Sequence, residues 1–367
     1  MADEADLLPG LPDDIAVWEI LVRLPPKALL RCRAVSPAWS RATSTRDFLL
    51  SHHARQPALP LLCRYNDEDD GSVSLDLTPF DHGAADRFHS AARLKLAPAP
   101  AHAPRLYLVA SCDGLLLLSI DFDGICICNP ATRQYAPLHQ VRGFHIVDMY
   151  AHPSTGEHRL LLYRAERDHQ DLFHVYTIGS DLPPRRVVGY PHTNDPLDRR
   201  GLLFHGSLHW HAYDRIVLFD TTAESFRQIS APVAHHYAQL FGTGDMLGIF
   251  YVDDDETAID IWVMQDYQGE VWDFKTRVEL PIVETLQQCQ CAYHRHSVMV
   301  VPRDGELLVL VDCCGWLFQL DVDAKLIAAP QQLRGYASTD YVLKQTLVQH
   351  AFFPTLEGYV VNTSPFI

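Results

Sequence analysis

Three stretches share one reading: Ile125–Leu138 (ICICNPATRQYAPL), Ile216–Ile229 (IVLFDTTAESFRQI) and Leu317–Pro330 (LFQLDVDAKLIAAP). Each is an apolar run, a polar turn opened by Asn or Asp, and a returning run, the pattern of two strands joined by a tight turn. Weaker copies begin at Val73 (VSLDLTPF), Val175 (VYTIGSDLPPRRVV) and Ile261 (IWVMQDYQGEVWDF). With Asp76, Asn129, Gly179, Asp220, Asp266 and Asp321 as the turn positions, successive units lie 53, 50, 41, 46 and 55 residues apart. A period of ~40–50 residues with several short strands per unit marks a β-propeller, each blade a four-stranded sheet. Residues 57–367 hold about six such units, with room for a seventh if terminal strands close the ring. A parallel α/β fold needs helices between strands, and the one helix-like stretch, Ala84–Leu96, runs into APAPAHAP and reads as a loop insertion.

Upstream the periodicity changes. The chain's 367 residues exceed the ~250–300 at which single cores stop growing, so a second unit is expected. Leu11–Leu24 reads as a helix, with Pro12, Asp13 and Asp14 at its start and Pro25-Pro26 at its end. Its apolar residues leave only a narrow polar stripe through Asp14, Glu19 and Arg23. A short helix over Lys27–Ala34 follows, then Ser36-Pro37 caps and opens a third helix carrying Trp39, and Phe48, Leu49 and Leu50 close the unit. A three-helix piece of about forty residues is marginal alone, so its surplus apolar surface predicts docking. The plain alternative is that these helices pack on the rest of the chain.

The stretch LPDDIAVWEILVRLPPKALLRCRAVSPAWSRATSTRDFL, Leu11–Leu49, resembles an F-box, the module that joins a protein to the Skp-type adaptor of cullin-based SCF ubiquitin ligases. The resemblance places the adaptor-facing positions on Leu11, Pro12, Ile20, Leu21, Leu24, Pro25, Leu29, Leu30, Val35 and Trp39. Ser36-Pro37 departs from the Cys-plus-basic pair that plant members often carry. Most of Leu106–Pro281 is similar to the F-box-associated, kelch-like domain of plant F-box proteins, through SCDGLLLL at Ser111, CNPATRQY at Cys128, STGEHRLLLY at Ser154, GSLHWHA at Gly206 and FDTTAESFRQI at Phe219. The expected organisation is an acidic tail over residues 1–10, an F-box over 11–50, a linker over 51–60 and a propeller over 61–367. The resemblance implies a non-catalytic, target-recognising subunit of an SCF ligase, binding the adaptor through the F-box and a target protein through the propeller. Two other readings stay open: a propeller enzyme or metal-binding protein with a helical docking head, and an adaptor-bound protein acting outside a ligase.

Charge narrows the partners. Thirty Lys+Arg against 46 Asp+Glu give a net charge of -16, which repels phosphate backbones unless basic residues gather. They gather modestly between Leu11 and Gln56, as Arg23, Lys27, Arg31, Arg33, Arg41, Arg46 and Arg55, without an aromatic platform series. A basic face toward an acidic protein fits this better than nucleic acid. No apolar run approaches the ~20 residues of a bilayer span, and the first residues carry Asp3, Glu4 and Asp6 rather than a basic leader, so no membrane partner and a cytoplasmic or nuclear location are expected. Nine cysteines without a secretory signal predict reduced thiols.

Candidate chemistry is sparse. Cys289, Cys291, His294 and His296 are zinc-type ligands at a spacing that does not close a tetrahedron along a strand. His209, His211 and Asp214 form a two-His-carboxylate set, but GSLHW explains the first as framework. Asn66, Glu68, Asp70 and Gly71 resemble a calcium loop whose twelfth position is Leu77 rather than Glu. No nucleophile elbow, Walker loop or HExxH occurs. Neither a catalytic residue nor a metal or cofactor site is therefore assigned.

Overall fold

The computed structural model describes residues 12–67, 69–81, 90–97, 105–121, 124–165, 171–189, 197, 200–243, 245–280, 296–303 and 306–367. Its repeated feature is a turn. Asn129 Oδ1 accepts the backbone N–H groups of Ala131 and Thr132, Asp220 Oδ1 those of Thr222 and Ala223, Asp266 Oδ1 that of Gln268, and Asp321 Oδ1 those of Asp323 and Lys325. The fourth residue after the Asx is left-handed in three of these turns, with φ of 52° at Arg133, 49° at Glu224 and 54° at Glu270. One carboxylate or amide thus satisfies the turn's donors and brings the chain back antiparallel.

Each such hairpin is the outer half of a four-stranded antiparallel sheet, and six sheets form a six-bladed β-propeller behind short N-terminal helices. The first blade orders Ala337–Leu343, Leu59–Asp67, Val73–Pro79 and Ala92–Leu96. The second orders Leu106–Cys112, Leu115–Ile120, Gly124–Asn129 and Gln134–Pro137, and gains Val360–Val361 as a fifth strand. The third uses His145–Ala151, His158–Ala165, Asp171–Thr177 and Arg185–Val187, and the fourth Leu202–Phe204, Ser207–Ala212, Arg215–Asp220 and Ser225–Ser230. Gln239–Thr243, Met246–Val252, Ala258–Asp266 and Val271–Glu279 make the fifth; His296–Arg303, Glu306–Cys313, Trp316–Leu320 and Gln331–Gln332 make the sixth.

The chain divides into two compact units, residues 1–142 with 341–367, and residues 143–340. In the first, Leu61, Leu75, Leu77, Leu116, Leu118 and Cys128 build a core between the first two blades. Burial pushes the Cys126 thiol up to about 12, as suits a small core residue. The C-terminal segment straps this unit together. Leu347 enters the core of the helical head, Val360 and Val361 pair with Tyr135 and Gln134, and Phe366 is buried beside Leu94. In the second unit, Tyr150, Trp210 and Phe219 pack between the third and fourth blades, and Phe250, Ile261, Val309 and Phe318 between the fifth and sixth.

Three expectations are corrected. Asp76 is no turn residue: it lies buried in mid-strand, held by Arg64 at 2.6 Å and Arg93 at 3.3 Å. Measured at the ends of the strands that enter the hairpins (Pro79, Asn129, Thr177, Asp220, Asp266, Leu320), the spacings are 50, 48, 43, 46 and 54 residues. Second, the end of the supposed loop insertion, Ala92–Leu96, is an edge strand in which Arg93 and Lys95 alternate with the buried Ala92 and Leu94, while residues 84–89 lie outside the described residues. Third, the stretch 51–60 is no linker: a helix runs over Arg46–Arg55 and a strand begins at Leu59. Cys314 also departs from the expectation of reduced thiols, being disulfide-bonded.

The landmark SCDGLLLL has a clear cause. Asp113 and Gly114 both have positive φ, 48° and 84°, the geometry of a two-residue hairpin loop that Asp-Gly favours. A Cβ on Gly114 would lie 2.5 Å from the Lys344 carbonyl oxygen and 2.9 Å from the Thr346 nitrogen, so the C-terminal strap needs this glycine. Gly114→Ala is expected to cost roughly 1–2 kcal/mol for the left-handed Cβ alone, and more for moving the strap. Thermal unfolding of the variant checks this, and an unchanged midpoint would refute the contact.

Candidate docking surface on the helical head

The first helical run is irregular: Asp13–Ile15 is one α-helical turn, Ala16–Ile20 a wider π-type turn and Leu21–Arg23 a tighter 3-10 turn. Pro25-Pro26 then stops it, and Pro26 starts the helix α1 (Pro26–Val35). The stop strands the Leu24 carbonyl. His52 Nε2, at 2.8 Å, and Gln56 Nε2, at 3.2 Å, donate to it from the last helix of the head. Ser36 caps α2 (Pro37–Thr43), its Oγ accepting the Trp39 N–H at 3.3 Å, as Ser-Pro predicts. Arg33 joins the two by donating from Nε to Thr43 Oγ1 at 2.9 Å. Thr45 likewise caps α3 (Arg46–Arg55), accepting the Phe48 N–H at 3.4 Å.

These helices enclose a small core of their own. Val17, Leu21, Val22, Leu29, Phe48 and Leu49 are buried together, with Leu347 of the C-terminal strap as their one fully buried outside partner among the described residues. His53 adds a polar tie, its Nε2 lying 3.7 Å from Asp113 Oδ1. With that core complete, Ile15, Trp18, Ile20, Leu30 and Val35 still face solvent, and Val35 is 76% exposed. An apolar set of this size on a small head is unusual unless it docks.

Comparison with known proteins agrees with this geometry. Residues 8–51 match the model of the F-box domain, and residues 84–320 match that of the F-box associated beta propeller domain. The chain belongs to the F-box associated β-propeller family. F-box protein At1g52495 of Arabidopsis thaliana is 25% identical over 71% of this chain and 67% of its own length. Putative F-box protein At3g52320, also of Arabidopsis thaliana, is 26% identical over 75% of this chain and 74% of its own. Among solved structures, the β-propeller domain of Cps50 (Swd1) from Myceliophteria thermophila aligns over 76% of this chain and 88% of its own, with 10% identity and a TM-score of 0.39.

Placement sorts the ten positions that the F-box resemblance implies would face an adaptor. Pro12, Ile20, Pro25, Leu30 and Val35 are exposed, Leu24 and Trp39 are half-buried, and Leu21 and Leu29 are buried in the head's own core. Leu11 lies outside the described residues. Ile15 and Trp18, which the family pattern does not single out, are exposed beside them. Their signal was present in the surplus of apolar residues around the first helix.

The metal-like sets fare differently. Cys289, Cys291 and His294 lie outside the described residues. His209 is buried with both ring nitrogens engaged, Nδ1 at 3.0 Å from the Ser207 carbonyl and Nε2 at 2.8 Å from the Tyr267 hydroxyl, while Asp214 sits in an exposed turn beside Arg215. Asn66 donates across its hairpin to Ser74 and Asp76, and Asp70 accepts from Ser72 and Lys95, so neither carries a calcium-loop geometry.

Two buried groups of the propeller set an opposed pH dependence. Burial pushes the Asp148 carboxyl up to about 6, against the N–H groups of Met149 and Gly201, each 2.8 Å from one of its oxygens. Burial pushes the His209 imidazole down to about 4. From about pH 4 to 6 the folded chain keeps an Asp148 proton that the unfolded chain has released, so this group's stabilisation is lost as pH rises. From about pH 6.5 down to 4 the unfolded chain protonates a histidine that the folded chain keeps neutral, so that stabilisation is lost as pH falls. Each amounts to roughly 3 kcal/mol, and together they nearly cancel. Asp148→Asn is expected to expose a rise of stability with pH between about 4 and 6, and His209→Gln a fall. Urea unfolding across that range checks both, and identical slopes in the two variants would contradict the assignment.

Proposed function

We propose that this F-box protein is the target-recognition subunit of an SCF ubiquitin ligase. The F-box implies binding to an Skp-type adaptor in general, and proteins of this type are typically non-catalytic. The finer reading adds the cullin, brought by the adaptor, and a target protein held by the propeller. The observation that carries it is the apolar set Ile15, Trp18, Ile20, Leu30 and Val35, left exposed on a head whose own core is already closed. The chain then works by proximity: an acceptor lysine on the target is held near the ubiquitin-loaded enzyme, so that transfer becomes effectively intramolecular. No step of bond chemistry is assigned to its residues. Such a subunit works where cullin ligases do, in the cytoplasm or nucleus. The experiment is reconstitution of the purified chain with an Skp-type adaptor and cullin, followed by size-exclusion chromatography. A co-eluting ternary complex is expected, and an intact chain that elutes apart from the adaptor overturns the proposal.

A further inference from the structure

A cleft of about 1120 Å³ lies within the first unit, between α1 of the F-box and the second blade with the C-terminal strap. It stands out in charge. Five basic side chains line it, against a single acidic side chain, Asp81, and the terminal residue Ile367, in a chain whose net charge is -16. Two of the five are spent internally, Arg33 on Thr43 and Arg93 on Asp76. Lys27 and Arg31 on the head wall and Arg133 on the blade wall pair with no carboxylate among the described residues. Between these cations the lining is apolar and amide-bearing, with Gln349 and Asn362 on the strap.

We propose that this cleft binds an extended acidic peptide segment of the target, its carboxylates or phosphates set on Lys27, Arg31 and Arg133. The inference deepens the reading of the chain as a target receptor and rests on it. Three cations drawn from two different elements, α1 and the Asn129 turn, suit several separated negative charges better than one compact anion, and side-chain amides in the same lining suit a peptide backbone. The surrounding negative charge makes this groove the attractive place for an acidic chain, because concave walls of one sign focus the field. Arg133 is the informative position, since it belongs to the propeller and not to the adaptor-facing head. It sits in the Asn129 turn, and its side chain pairs with no carboxylate among the described residues.

The test is fluorescence anisotropy of the full-length chain with a short glutamate-rich peptide, the same peptide carrying phosphoserines, and a glutamine-substituted control. Both acidic peptides are expected to bind and the control not, with affinity falling steeply as salt rises. Arg133→Glu is expected to weaken binding by roughly tenfold or more while retaining the adaptor. The acidic and phosphorylated arms distinguish which anion is preferred, and either preference supports the proposal. Equal binding of the glutamine control, or binding of inorganic phosphate without either peptide, overturns it. An intact chain that binds the adaptor but neither acidic peptide sinks the cleft alone; an intact chain that binds the acidic peptides but not the adaptor sinks the ligase reading instead.

Discussion

Ile20→Asp combined with Val35→Asp is expected to abolish binding to an Skp-type adaptor while leaving the unfolding midpoint of the chain almost unchanged. Both side chains face solvent, Ile20 at 44% and Val35 at 76% exposure, so charge placed there disturbs no packing within the head. In a complex the same charges would be buried without partners, and truncation of an interface anchor alone costs about 2–4 kcal/mol. Leu21 makes the contrast. It is 4% exposed and packs among Val17, Val22, Leu29 and Leu347, so Leu21→Ala is expected to remove roughly 2–5 kcal/mol from the head's own stability. Binding lost through Leu21 therefore reports unfolding of the head, whereas binding lost through Ile20 and Val35 reports an interface. Calorimetric titration of the adaptor, with thermal unfolding of each variant, separates the two. An Ile20/Val35 variant that binds with unchanged affinity would remove the apolar set from the proposed interface.

The same contrast explains what the sequence makes legible. The blade repeat is readable because its turns are local: Asn129, Asp220, Asp266 and Asp321 each bond backbone within four residues, and such chemistry is written at fixed spacing. Asp76 misleads because an Asp in the middle of a strand looks like any other until its partners are known, and Arg64 and Arg93 come from the strands on either side. The helix over Arg46–Arg55 is not legible in the sequence for a related reason. Its inward residues His52 and Gln56 are polar, and only the stranded Leu24 carbonyl, 28 and 32 residues away, makes their burial sensible. On the head, composition shows that too many residues are apolar, but it does not say which of them the head keeps for itself. That division depends on Leu347, more than three hundred residues downstream of Leu21 in the chain. The cleft is equally silent in sequence, since Lys27 and Arg133, more than a hundred residues apart in the chain, line one cleft only in the folded chain.

Glu224→Ala is expected to cost roughly 2–3 kcal/mol. Glu224 sits in the turn that Asp220 opens on the fourth blade, and its side chain is only 7% exposed. Tyr150 donates its hydroxyl to Glu224 Oε1 at 2.9 Å, Arg159 donates to the same oxygen at 2.6 Å, and Arg185 pairs with Oε2. Tyr150 and Arg159 belong to the third blade, so one carboxylate staples two blades. Removing it leaves the Arg159 guanidinium, 14% exposed, with Glu157 alone, 2.6 Å from Nη2, and leaves the tyrosine hydroxyl beneath the turn without this acceptor. The backbone works in the opposite sense: at φ of 49° an alanine is no better placed than glutamate, but Glu224→Gly relieves the left-handed strain by about 1 kcal/mol. The glycine variant should therefore be the more stable of the two although it removes more atoms. Pairing each change with Arg159→Met supplies the decisive comparison, because it removes the guanidinium that has lost one of its two carboxylates and leaves Glu157, 47% exposed, to solvent. If Glu224→Ala with Arg159→Met is no more stable than Glu224→Ala alone, the loss comes from the turn backbone, and the staple between blades is not what holds them.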